Sequence, residues 1–154
     1  MSEPAGRGRS PLADAVAASP DGVVVAHMLI VEDIDRSIAF YRDVLGAVVE
    51  REKAPAMLRL FNTWLVLNVG GGPTEDKPDV TLTSPQDANT VSSFLNIRVA
   101  DIAAVYAAWS ECGAAFIAAP ANRGPEIRCY LHDPDGYLME LGETTPLASE
   151  TRAS

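Results

Sequence analysis

Apolar and polar positions follow two rhythms along this chain. Residues 23–31 form an apolar run rich in β-branched side chains, which predicts a strand. Ile34, Ile38, Tyr41 and Leu45 then recur at helical spacing. Asp33 or Asp35 is placed to cap the start of that helix and Gly46 its end. Residues 47–52, 56–61 and 63–69 read as three further strands, ended by Gly70-Gly71-Gly72-Pro73. After the polar stretch 74–91 the order returns: a strand at 93–99, then a helix with Ile102, Val105, Trp109 and Cys112 on its apolar stripe, capped by Gly113. A short strand at 115–118, a loop at 120–125 and strands at 126–131 and 137–141 complete the set.

Val31-Glu32-Asp33-Ile34 and Val99-Ala100-Asp101-Ile102 stand 68 residues apart and hold the same place in each half. The chain therefore reads as two copies of strand–helix–three strands. The expected organisation is a mobile segment at 1–21, a first unit at 22–73, a linker at 74–91, a second unit at 92–142 and a frayed tail at 143–154.

The last two strands flank Asp133-Pro134-Asp135-Gly136, a turn by composition. Side chains alternate across a strand, so Arg128, Tyr130 and His132 share a face, and Glu140 stands opposite Met139 and Leu141. A carboxylate in such a strand needs a metal, an arginine or a polar ligand as partner, unless the strand lies at an exposed edge. In the strand at 93–99, Leu95, Ile97 and Val99 make one apolar face and Phe94, Asn96 and Arg98 the other. In the first half the same parity leaves Met57, Arg59, Phe61, Trp64, Val66 and Asn68 on the face opposite Leu58 and Leu60.

The chain has 154 residues, 47% hydrophobic, which is enough for a real core. A net charge of −9 argues against nucleic acid and against an anionic membrane surface as partners. No apolar run approaches the ~20 residues of a membrane span. Cys112 and Cys129 have no metal-site spacing and read as reduced, buried and inert. With no secretory signal pattern at the start, a cytoplasmic protein is expected.

The stretch Asp33 to Gly46 after a strand, with Asp133-Pro134-Asp135-Gly136-Tyr137-Leu138-Met139-Glu140-Leu141 near the end, resembles the vicinal oxygen chelate superfamily. That superfamily holds glyoxalase I, bleomycin-resistance proteins, fosfomycin-resistance enzymes and extradiol dioxygenases. The resemblance covers roughly residues 23–142 and implies an α+β fold. Two βαβββ modules would form a cupped, mostly antiparallel mixed sheet. A homodimer is expected by analogy. In the family's metalloenzymes one divalent ion, such as Zn, Ni, Mn or Fe, sits in the cup. The implied ligand positions fall on Ala26, Val66, Phe94 and Glu140, of which only Glu140 can bind a metal.

His27 is one residue out of register, and only a β-bulge would turn it inward. His132 beside Glu140 is an alternative pair, but a stable site wants three or more protein ligands. A cup without the usual metal is therefore favoured; if a metal binds, Glu140, His27 and His132 are its candidates.

The predicted binding residues are Arg59, Trp64, Phe94, Asn96, Arg98, Arg128, Tyr130, His132 and Glu140. The resemblance supports Arg128 and Tyr130, whose matching positions contribute to ligand binding in fosfomycin-resistance relatives. Three functions fit. The first and favoured is a binding or resistance-type protein that takes a small aromatic or anionic molecule. The second is a metal-dependent lyase, isomerase or dioxygenase of the glyoxalase type. The third is a metal-independent enzyme with Glu140 as catalytic base.

Overall fold

The computed structural model describes residues 22–146. The segment 1–21 and most of the expected tail lie outside the described residues.

Strand β1 (Ala26–Ile30) leads to helix α1 (Ile34–Asp43) and strands β2 (Val48–Arg51), β3 (Ala56–Leu60) and β4 (Thr63–Asn68). The second half holds β5 (Leu95–Arg98), α2 (Ile102–Glu111), β6 (Ala115–Phe116), β7 (Ala121–Asn122), β8 (Glu126–His132) and β9 (Leu138–Thr144). The first sheet runs β1-β4-β3-β2 and the second β5-β9-β8-β6, with β7 also on β8. In each sheet only the outer pair, β1 with β4 and β5 with β9, is parallel. The architecture is α+β with two open, mostly antiparallel sheets.

Both helices start as the sequence predicts. Asp33 accepts from the Arg36 amide at 3.0 Å, and Asp101 from the Ala104 amide at 3.0 Å, so each carboxylate caps its helix. Ile38, Tyr41 and Leu45 are buried below α1, Ile102 and Trp109 below α2. Gly46 leaves the first helix at φ +82°. Cys112 departs from expectation. It is the C-cap of α2 rather than part of the stripe, and it is exposed; only Cys129 is buried.

Leu29, Leu58, Leu65 and Leu67 of the first sheet share one core with Cys129, Leu131, Met139 and Leu141 of the second. Each sheet turns one face toward this core. The opposite faces stay open, with Met28, Val48 and Phe94 exposed.

Three segments differ from the sequence reading. The loop at 120–125 contains β7, because the Arg123 amide bonds the Glu126 carbonyl and Gly124 takes φ +89°. Strand β9 runs past Gly142 to Thr144, opposite Glu126, so the expected tail begins later than 143. Phe61 is not part of a strand. It is the first residue of the two-residue turn between β3 and β4, at φ +53° and 59% exposed. A hairpin this tight needs a positive φ, and here a non-glycine residue supplies it.

The two modules are latched by the Asp133–Tyr137 turn. The Tyr137 hydroxyl donates to the Ile30 carbonyl at 3.0 Å and accepts from its amide at 3.1 Å, satisfying the outer edge of β1. Asp135 accepts from the Glu32 amide, Arg36 and the buried Ser37 hydroxyl. Asp133 accepts from the Tyr41 hydroxyl at 2.7 Å and from the Asp135 and Tyr137 amides at 2.9 Å. The linker is pinned to the same region. The Ser84 hydroxyl bonds Glu32, and Ala88 lies against Gly136.

Burial pushes the Asp133 carboxyl above its ordinary value, although its three hydrogen bonds pull the other way. A carboxyl whose pKa is higher folded than unfolded binds its proton more tightly in the native state. Its contribution is therefore fully present below the ordinary carboxyl pKa of 3.8 and is lost as pH rises through the raised value. Asp133→Asn keeps a carbonyl acceptor for the two amides and removes the titration. The variant is expected to gain stability relative to wild type as pH rises from 4 to 8, read from urea midpoints across that range. A constant difference would mean that the carboxylate is ionised without cost.

Candidate functional site

Strand register places the sequence-predicted residues in rows on the open face of the second sheet. Asn96, Glu140 and Tyr130 lie side by side across β5, β9 and β8. Arg98, Gly142 and Arg128 form the next row. Glu140 is only 6% exposed, and both its oxygens are engaged. One accepts from Asn96 Nδ2 at 3.1 Å and from Arg98 Nη1 at 3.4 Å; the other accepts from the Tyr130 hydroxyl at 2.7 Å. The Tyr130 phenol is held above its ordinary pKa, chiefly by that bond, so it remains a donor at neutral pH. Phe94 meets the Tyr130 ring edge-on at 6.2 Å. The Arg128 guanidinium stands 5.9 Å from the same ring.

Two participants escaped the sequence reading. Glu126 bridges Arg98 and Arg128, and these two bonds hold its carboxyl below the usual range. Gly142 leaves room for Arg98: a Cβ there would fall 2.1 Å from Nη1. The signal was present in parity, since Glu126 is two residues before Arg128 and Gly142 two after Glu140.

The remaining candidates are elsewhere. Arg59 and Trp64 pair on the first sheet, with the guanidinium 5.8 Å from the indole and 3.3 Å from Glu50. His27 is opposite Leu65 in an unbroken register, so it faces the core side rather than the open face. His132 shares the open face of β8 with Tyr130, and its Nε2–H donates to the Ala88 carbonyl at 3.1 Å. The three candidate metal ligands, Glu140, His27 and His132, are therefore not brought together. A cavity of about 460 Å³ lies between the β3–β4 turn and β5, lined by Phe61, Asn62, Leu95, Asn96, Ile97 and Arg98 among others.

The donor set does not fit the divalent ion of the family that the sequence resembles. Ala26, Val66 and Phe94 offer no ligand atom, and both Glu140 oxygens already accept hydrogen bonds within the chain. Among the described residues no three His, Cys, Asp or Glu side chains gather in a metal-holding group. Among them, too, no helix is long and apolar enough to cross a membrane.

Known proteins share this fold. A lactoylglutathione lyase of Haemophilus influenzae is 31% identical over 123 residues, covering 75% of this chain and 88% of that protein. A glyoxalase/bleomycin resistance protein/dioxygenase from Nocardioides superposes with a TM-score of 0.64 at 15% identity, over 86% of this chain and 90% of that one. A mutant of the fosfomycin resistance protein FosX from Listeria monocytogenes, solved with Mn(II) and 1S,2S-dihydroxypropylphosphonic acid, superposes with a TM-score of 0.60. It is 17% identical, over 84% of this chain and 97% of that one. The sequence model of the family matches residues 23–141, and the chain belongs to the Glyoxalase/Bleomycin resistance protein/Dioxygenase superfamily.

Proposed function

We propose that this chain is a small-molecule binding protein of the resistance type, which takes an aromatic or anionic ligand on the open face of its second sheet without a divalent ion. One observation carries the reading. Glu140, the single residue present at a family ligand position, spends both oxygens on Asn96, Arg98 and Tyr130. A metal there would meet a carboxylate already hydrogen-bonded on both oxygens and would find no second protein ligand in register. The aromatic walls Phe94 and Tyr130 and the neighbouring arginines suit a planar, polar-edged molecule. The exposed Met28 and Val48 support a second copy covering the open face of the first sheet, so the working unit is a homodimer.

The competing reading is a metal-dependent lyase, in keeping with the name of the Haemophilus relative. Purified protein incubated with Zn, Ni, Mn and Fe(II), then desalted, separates the two. Retained metal well below one equivalent per chain is expected, with a light-scattering mass twice the 16.4 kDa of one chain. About one equivalent retained would overturn the metal-free reading, and a monomer mass would remove the dimer.

A further inference from the structure

Arg98 on β5 and Arg128 on β8 belong to one row, with Gly142 of β9 between them. The side-chain-free backbone at Gly142 is what lets the Arg98 guanidinium reach across β9. Two guanidinium groups so placed repel each other unless an anion joins them. Glu126 does so, giving one oxygen to Arg98 Nη1 at 2.9 Å and the other to Arg128 Nη1 at 2.7 Å.

The two glutamates of this cluster are not equivalent. Glu140 is nearly inaccessible and carries three donors, one of them a phenol at 2.7 Å. Glu126 has a side chain 21% exposed, and the arginines it holds are 38% and 37% exposed. Ion pairs that reach solvent contribute little and are screened by salt. Glu126 is therefore the exchangeable carboxylate and Glu140 the fixed one.

We propose that Arg98 and Arg128 form a carboxylate clamp, that Glu126 holds it as an internal stand-in, and that the ligand is an aromatic carboxylate which takes Glu126's place. This rests on the reading that the open face binds a small molecule, and it names that molecule's anionic group. Arginine pairs with a carboxylate through directional, charge-assisted bonds. Beside the clamp, Tyr130 and Phe94 offer ring surfaces to the body of the same molecule. On exchange Glu126 turns to solvent, and the two arginines keep two negative partners, Glu140 and the ligand.

The test is titration calorimetry of the full chain with benzoate and with its neutral counterpart benzamide. Glu126→Gln removes the competing carboxylate and is expected to tighten benzoate binding about five- to tenfold, with benzamide affinity unchanged. Adding Arg128→Gln to that variant is expected to cancel the gain. Unchanged or weaker benzoate binding in Glu126→Gln, with benzamide still bound, overturns the clamp and leaves the aromatic-binding reading standing. If neither probe binds wild type or variant, the clamp and that reading fall together.

Discussion

Replacing Asp135 with alanine is expected to cost about 3 kcal/mol and to lower the thermal midpoint by about 10 °C. The Asp135 side chain is fully buried and lies where the two modules meet. It accepts from the Glu32 amide at 2.9 Å and the Ser37 hydroxyl at 3.2 Å, and Ser37 is itself completely buried. Removing the carboxylate leaves both donors without that acceptor, and the Ser37 hydroxyl sits in a fully buried residue. The Arg36 contact contributes little, because that side chain is 49% exposed. Asp135→Asn retains one carbonyl oxygen and should lose roughly half as much. Calorimetric scans of the three proteins check the order. A shift of less than about 2 °C for the alanine variant would show that water or a neighbouring group replaces the latch.

Glu140→Ala is expected to destabilise the second sheet by about 2 kcal/mol and to weaken binding of a ring-bearing ligand more than tenfold. The destabilisation follows from three donors losing one acceptor; the figure is held down because Arg98 keeps Glu126 and reaches solvent. The binding loss follows from orientation. The Tyr130 hydroxyl is held in place by the carboxylate at 2.7 Å, and without it the ring no longer presents a fixed surface to a ligand. Glu140→Gln keeps an acceptor and should retain most of the stability. Urea midpoints and a ligand titration on both variants separate the two effects. An alanine variant as stable as wild type would mean that the row Asn96–Glu140–Tyr130 is not coupled through its carboxylate.

The modular plan was legible because each part of it is local. Asp33 and Asp101 cap helices through bonds to amides three residues on, so caps and apolar spacing suffice to find both helices. Alternation placed Asn96, Arg98, Arg128, Tyr130 and Glu140 on one face, and the register of β5, β9 and β8 makes them neighbours. The same parity put His27 on the opposite face, where the unbroken pairing with β4 holds it. Alternation failed at Phe61, because a strand ends where the chain must turn and periodicity carries no information about the turn's positive φ.

What the amino-acid order determined by itself is therefore the repeated plan, the faces of its strands and side chains without ligand atoms at Ala26, Val66 and Phe94. What only the tertiary structure decided is which polar groups satisfy one another. Glu140 could have awaited a metal or a ligand; the folded chain gives it Asn96, Arg98 and Tyr130. Arg98 reaches Glu126 only because β9 presents Gly142 between β5 and β8. Arg59 and Trp64, predicted for the same pocket, belong to the other sheet. Parity assigns a face within one strand, but the partner across a sheet depends on strand order and register, which are set by long-range burial rather than by neighbours in sequence.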